Sequence, residues 1–341
     1  MSLFKILGLA IRDPARFKVL IDAIKGTQLY ANIVVARALQ AQLNKVAELS
    51  EKKIALEEFM QQNNFRNKSL LLELLALLEK DGFVKIKKDD FVILKKQIVE
   101  EELKKREKKV APIVLDAFEA FGDYTERALI ERLEGVPPAS FDSNELRVLW
   151  NVALRGDFYT IQRRDALNFA QLDKLAKRNQ NQPIRILDFG CGSGEGTIQI
   201  LTFLREKNIP HNLEACDISE GLLEIAAEDE ALEEDIYFFN YKERKPKEGY
   251  YDAIFISQVL HWPDDPVQMV SDLKSYLKEN GILFGVQSTF SKRLYQIDLF
   301  IRLLGAKGFP EEKEFYRWFE ENDMNVRFDP ATYTFLATKK K

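Results

Sequence analysis

The chain has 341 residues, enough for about two domains of ~100–200 residues, and 46% hydrophobic with 30% charged residues describes a globular protein that buries a real core. Two cysteines and two histidines exclude a disulfide framework and leave too few ligands for a structural zinc site. No apolar run reaches the ~18–20 residues of a membrane span, so no span is expected, and a reducing cytoplasm suits the cysteine count. The net charge of −4 is uneven: residues 1–110 carry 22 Lys/Arg against 15 Asp/Glu, and residues 184–341 carry 19 against 28. That asymmetry points to two units with different partners.

The start, "MSLFKILGLAIRD", lacks a small-residue cleavage site and reads as a helix packed on the protein's own core. "PARFKVLIDAIKG" has Pro14 at its start and Gly26 at its end, the usual helix asymmetry. A long helical stretch follows, with unclear breaks. In "NKSLLLELLALLEKDGFVKIKKDDFVILKK", Ser69 can cap a helix, Gly82 ends it, and "FVKI" and "FVIL" flank a polar turn. A helix followed by a two-stranded wing is the winged-helix pattern. Seven of positions 70–78 are Leu, so this helix is expected to be buried and nucleic acid is not the expected partner. Residues 95–109 read as a solvated, charged helical linker, "VAPIVLDAFEAFGDYTERALIERLEG" as a further helix, and "GVPPASFDSNE" as a loop. Two more helices are expected between Glu145 and Asn179.

At Ile184 the texture changes. Strands "IRILDF", "NLEACD", "IYFFN", "YDAIFIS" and "GILFGVQ" alternate with helices near 194–207, 219–231 and 264–278. Apolar strands separated by helices imply a parallel, doubly wound Rossmann-like α/β sheet covered on both faces. Helices near 291–305 and 310–322 precede "MNVRF", the turn "DPA" and "TYTFLATK", which read as a closing antiparallel hairpin. The expected domains are therefore 1–110, helical with a winged helix; 111–183, a helical connector; and 184–341, the α/β sheet.

The first strand of that sheet runs into "ILDFGCGSGEGT", with Asp188 at its end and glycines at 190, 192, 194 and 196. Such a turn lets a ligand approach the backbone at the carboxyl edge of the sheet. The spacing is not G-x-G-x-x-G, since Glu195 or Thr197 stands where the third glycine belongs, and no Gly-Lys-Ser/Thr of a P-loop follows. A nicotinamide enzyme is thereby disfavoured. The next strand ends in Asp217, where nucleotide-binding α/β folds hold a ribose. With these two motifs and the closing hairpin the sequence resembles the class I S-adenosylmethionine-dependent methyltransferases. The resemblance implies that Gly190, Gly192 and Gly194 line the methionine moiety, with Asp188 near its ammonium. It further implies that Asp217 takes both ribose hydroxyls and that Ile218 packs on the adenine. Asn240 or Tyr241 would meet the adenine amino group, and Ser257 closes the cofactor set. The cofactor is then S-adenosyl-L-methionine, the product S-adenosyl-L-homocysteine, and no metal is called for.

The helical first half makes the whole chain resemble plant-type and bacterial small-molecule O-methyltransferases, in which that half forms a homodimer and helps enclose the acceptor. Members of that family place a base histidine after the fourth strand. His261 in "ISQVLHWPDD" stands nine residues after Asp252, in register for that role, and Asp264 or Asp265 is at hand to steady the ring. An imidazole with pKa ~6.5 is mostly neutral at pH 7 and suits a phenolic acceptor with pKa ~10. Two departures stand against it. Gln287 occupies the end of the fifth strand, where the family has an acid, and "AKGFPEE" offers Gly308 and a loosely placed Glu311 for the second. His261 is thus a base, an acceptor-positioning group or a structural residue; His211, in the loop "NIPHN", is a bystander. Trp150, Phe158, Tyr159, Trp262, Phe290 and Tyr295 are candidate pocket aromatics. The expected function is O-methylation of a small aromatic or apolar molecule. N- or C-methylation on the same fold, and a winged-helix regulator that keeps the cofactor site as a sensor, stay open.

Overall fold

The structure is a computed structural model and describes residues 14–48, 53–88, 90–94, 98–110, 122–180, 182–232, 236–292 and 294–340. The expected helices over 1–13 and 111–121 lie outside the described residues. The chain divides into two compact units: Val19–Ala139 with Lys292–Gly305, and Ser140–Ser291 with Ala306–Lys341 and Met1–Lys18. The continuous stretch that carries the sheet starts at Ser140, within the segment 111–183 read from the sequence as a connector.

In the first unit, helix α1 (Pro14–Glu48) runs through Gly26, which is buried rather than terminal. An interior glycine costs roughly 1 kcal/mol relative to alanine. Burial of Ile33, Val34, Val35, Leu39 and Leu43 farther along the same helix outweighs it. After β1 (Ile54–Ala55) and α2 (Leu56–Gln62) comes α3 (Lys68–Lys80). Its cap is Asn67, whose side chain accepts the Leu70 N–H, and not Ser69, which lies in the first turn. Gly82, at φ +73°, turns the chain into the hairpin β2 (Val84–Lys87) and β3 (Asp90–Ile93), and β1 adds a third antiparallel strand in the order β1-β3-β2. Six leucines of α3 are buried, as its composition required.

The charged stretch expected to be a solvated linker is instead anchored. Within it, α4 (Glu100–Glu107) buries Leu103 and presents Glu100 and Glu107 to Arg37 at 3.0 and 2.9 Å, while Arg106 meets Asp81 at 2.7 Å. Helix α5 (Gly122–Glu134) sends Arg132 to the Leu303 carbonyl at the end of α12 (Tyr295–Leu303), and Glu73 of α3 pairs with Arg302 of α12 at 2.7 Å.

The second unit opens with three helices where two were expected: α6 (Asn144–Leu154), α7 (Asp157–Ala170) and α8 (Leu172–Arg178). Gly156 breaks the first junction and Gln171, in the left-handed region, the second. The remaining elements follow the expected alternation: β4 (Ile184–Phe189), α9 (Glu195–Glu206), β5 (His211–Asp217), α10 (Glu220–Ala227), β6 (Ile236–Asn240), β7 (Tyr251–Ser257), α11 (Pro266–Tyr276), β8 (Leu277–Val286), α13 (Glu312–Glu320), β9 (Met324–Asp329) and β10 (Thr334–Lys339). Strand order is β6-β5-β4-β7-β8-β10-β9, with β4 to β8 parallel and β10 antiparallel to both of its neighbours.

Side chains two apart share a face. Ile186, Phe255 and Phe284 therefore pack with Leu167 of α7 and Ile200 of α9, while Leu187, Ile254 and Leu283 pack with Leu273 of α11 and Phe315 of α13. The sheet is covered on both sides, and each fully buried Phe or Leu contributes roughly 2 kcal/mol. Among the described residues no helix is long and apolar enough to cross a membrane.

Candidate functional site

The parallel strands β4, β5, β6 and β7 deliver Asp188, Asp217, Asn240 and Ser257 to one carboxyl edge of the sheet. Gly190, Gly192 and Gly194 all have positive φ, at +74°, +57° and +89°. Each is also closely packed. A Cβ on Gly190 would stand 2.6 Å from Val259, one on Gly192 3.3 Å from Leu154, and one on Gly194 2.8 Å from Leu232. The turn is therefore pressed into shape by α6, by the segment after α10 and by the segment after β7.

Asp217 fastens this turn to β5. Its Oδ2 accepts the Gly192 N–H at 2.9 Å and its Oδ1 the Ser219 N–H at 2.9 Å; the Ile218 N–H also acts on the carboxylate, and these donors leave part of its acceptor capacity free. Burial raises its pKa above the usual carboxylate value, and the backbone N–H bonds oppose that rise. Beside it Ile218 is 47% exposed, an apolar side chain left open at the sheet edge. Ser193 Oγ, buried inside the turn, has no hydrogen-bond partner among the described residues. A carboxylate with spare lone pairs, an open apolar side chain and an orphaned buried hydroxyl fit a nucleoside-bearing cofactor.

Asp188 is 2% exposed and accepts the Thr197 Oγ1–H at 2.7 Å, which ties β4 to the start of α9. Burial pushes its pKa up to about 6, against the Thr197 bond and the nearby Arg163 guanidinium. Arg163 is itself buried on α7; its Nη1 donates to the Leu154 carbonyl, and the local pattern of α7 gave no sign of that placement. Sequence reading also missed the ties of the 140–156 segment to the cofactor edge. Ser219 Oγ donates to Asp142 at 2.7 Å, Arg147 pairs with Glu224 at 3.0 Å, and Arg155 pairs with Glu195 at 2.8 Å. Asn240 is half-buried and its carboxamide oxygen accepts the Lys242 N–H. Tyr241 lies apart from this set: its ring packs on Phe189 at 4.8 Å in the core, and its hydroxyl donates to Asp272. Ser257 is half-buried at the tip of β7.

His261 follows β7 and is 4% exposed. Its ring lies against Trp262 at 5.3 Å and Phe309 at 5.2 Å, and Phe141 and Trp150 extend the aromatic cluster through Trp262. Burial pushes its pKa down to about 3, so the ring is neutral at pH 7. Its side-chain partner is Gln287, whose Nε2 is 3.2 Å from Nδ1. Neither acid offered for steadying the ring does so. Asp264 is 92% exposed and pairs with Lys307, while Asp265 caps α11 through the Gln268 N–H. Glu311 is exposed before α13, Tyr295 belongs to the other unit and donates to Glu73, and His211 opens β5 at the opposite edge of the sheet.

A seven-stranded sheet with one antiparallel strand pair at its end, a glycine turn after the first strand and an acid at the tip of the second define a class I methyltransferase fold. A family model described as "Methyltransferase domain" matches residues 159–331, just over half of the chain. The chain belongs to this family, and its cofactor is S-adenosyl-L-methionine. A malonyl-[acyl-carrier protein] O-methyltransferase of Halalkalibacterium halodurans is 32% identical over 130 residues, 36% of this chain and 46% of that relative. The chain thus spans about half the length of that curated relative. Among solved structures, the DszA carbon methyltransferase aligns with TM-score 0.70 at 16% identity, covering 99% of this chain and 94% of that one. Human N-acetylserotonin methyltransferase in complex with S-adenosylmethionine aligns at 0.51 and 13%, covering 96% and 98%. At those identities the likeness is one of fold.

Proposed function

We propose that the chain methylates a small acceptor at an oxygen, and that this oxygen belongs to a carboxylate. The observation that carries this reading is the setting of His261, which is buried and neutral with an amide, not an acid, beside it. A phenol with pKa ~10 or a carbon acid needs a base as it attacks, and a base imidazole is ordinarily steadied by a carboxylate. A carboxylate with pKa ~4 is already ionised at pH 7 and needs none. The malonyl-[acyl-carrier protein] O-methyltransferase relative supports the same acceptor chemistry.

S-adenosyl-L-methionine supplies an electrophilic methyl group on a sulfonium. The residues named above hold and orient the reactants, which is where proximity and alignment lower the barrier. Asp217 is assigned to the ribose hydroxyls through its remaining lone pairs, Ile218 to the adenine face, and Ser193 with the backbone of Gly190, Gly192 and Gly194 to the methionine end. Asp188, occupied by Thr197, acts by holding the turn. Asn240 keeps its carboxamide N–H₂ for the adenine edge. Tyr241 is left to the core. The amino-terminal unit is assigned to dimerisation and not to DNA, because α3 buries its leucines in the chain's own core and so has no free face to lay in a groove.

Labelled methyl transfer from S-adenosyl-L-methionine to a malonyl thioester, phenols, amines and β-ketoacyl thioesters tests the proposal. Transfer to the malonyl carboxylate is expected. Transfer confined to phenols, amines or carbon acids refutes it, and cofactor binding without any transfer favours a sensor.

A further inference from the structure

We propose that Gln287 is a positioning residue whose side-chain amide fixes His261 in the Nε2–H tautomer, so that the ring donates a hydrogen bond to an acceptor oxygen instead of taking a proton. The donor role rests on the carboxylate reading above; the tautomer does not.

The orientation of a glutamine amide is ordinarily ambiguous, because oxygen and nitrogen look alike. Here both ends meet backbone groups of fixed polarity. Gln287 Oε1 lies 3.0 Å from the Leu260 N–H, which can only donate, and Nε2 lies 3.0 Å from the Ser288 carbonyl, which can only accept. Turning the amide over would set oxygen against oxygen and N–H against N–H. Nε2 therefore faces His261, and its second hydrogen points to Nδ1 at 3.2 Å. A donor on that side makes Nδ1 the acceptor, and the one proton of the neutral ring sits on Nε2.

The surrounding backbone holds this arrangement. Gln258 makes two bonds to Ser288, through the Ser288 N–H at 3.0 Å and Oγ at 2.9 Å. Trp262 Nε1 donates to the Gln258 carbonyl, and the Lys307 N–H donates to the His261 carbonyl at 2.8 Å. Inverting the ring would turn Cδ2 toward Gln287 and leave a buried amide hydrogen unpaired, which is unfavourable. A base at Nε2 requires the opposite tautomer, with Nδ1–H held by a carboxylate or carbonyl, and Gln287 blocks it. An Nε2–H donor suits an acceptor that arrives ionised: it can hold the carboxylate oxygen that does not attack.

Nitrogen-15 spectra of histidine-labelled protein decide the tautomer directly. The chain has two histidines, and a His211→Asn variant assigns them. The His261 Nδ1 signal is expected at a pyridine-type shift and Nε2 at a pyrrole-type shift, with a malonyl thioester plus S-adenosyl-L-homocysteine moving Nε2–H alone. A pyrrole-type Nδ1 overturns the proposal. In the transfer assay His261→Gln, which restores an N–H near the Nε2 position, should retain at least about tenfold more kcat than His261→Leu, since a hydrogen bond to a charged group is worth about 10- to 100-fold. Equal losses, with a histidine limb in the parent pH profile that both variants abolish, would mark a base and overturn it. Gln287→Glu should invert the tautomer and lower kcat about tenfold. Should that variant not fold, the parent spectrum still decides. The expected tautomer without transfer to any carboxylate would uphold the Gln287 assignment and sink the carboxylate reading.

Discussion

Asp217 at the tip of β5 and Gly192 in the turn after β4 are joined by a single 2.9 Å bond, carboxylate to backbone N–H. The acid assigned to the ribose is thus also a strut of the glycine turn. Asp217→Asn keeps the size but one of its two termini becomes a donor, which must face either the Gly192 or the Ser219 N–H. We expect both Asp217→Asn and Asp217→Ala to weaken S-adenosyl-L-homocysteine binding by about tenfold or more in titration calorimetry. Unchanged affinity in the alanine variant would remove the ribose assignment.

Ile218 gives a cleaner readout, because it is exposed and supports little of the core. Ile218→Ala removes apolar surface that the adenine is expected to cover, worth about 1 kcal/mol or roughly fivefold in affinity. The melting temperature without ligand should stay at the parent value. A variant that binds as tightly as the parent places the adenine elsewhere.

The sheet and its order of elements were legible because burial on both faces writes continuous apolar strands, such as "YDAIFIS", between turn residues. The cofactor edge was legible because Asp188, Asp217 and the glycines lie at strand ends that periodicity locates. Side-chain direction was harder. Tyr241 stands next to Asn240 in sequence, yet its ring turns to Phe189 in the core. Gly26 looked like a helix end because local propensity says so, and packing farther along α1 overrode it. The anchoring of α4 depends on Arg37, some 63 to 70 residues away in sequence, which no local pattern encodes. Gln287 was noticed only as a missing acid. Its orientation follows from the carbonyl of its neighbour Ser288 and from the N–H of Leu260, which the parallel pairing of β7 with β8 brings to it.

That pairing has a strict requirement two residues before Gln287. A Cβ on Gly285 would lie 1.7 Å from the Ile256 carbonyl oxygen of β7, and the obstacle is backbone, which cannot rotate away. Gly285→Ala must therefore part the two central strands. We expect a loss of several kcal/mol, above the ~1–3 kcal/mol typical of core overpacking, or insoluble protein. Urea unfolding with the parent midpoint would show that the strands approach less closely than described.

Two buried groups give stability opposite dependences on pH. For His261 the folded pKa, about 3, lies below the ordinary 6.5, so between those values the unfolded chain holds more protons. Its contribution is complete above pH 6.5 and is lost as pH falls toward 3, at up to about 1.4 kcal/mol per pH unit. For Asp188 the folded pKa, about 6, lies above the ordinary 3.8, and the folded chain holds the extra proton. Its contribution is complete below pH 3.8 and is lost as pH rises through 6. The two oppose each other between about pH 4 and 6, and removing either should expose the other. Measured by urea unfolding, His261→Leu should be costly at pH 7, where it also vacates the Gln287 bond, and progressively less so toward pH 4.5. Asp188→Asn, which can still accept from Thr197, should be most favourable relative to the parent above pH 6 and lose that advantage by about pH 4. A stability difference for His261→Leu that stays constant from pH 7 to 4.5 would mean the parent ring takes up a proton as readily when folded as when unfolded.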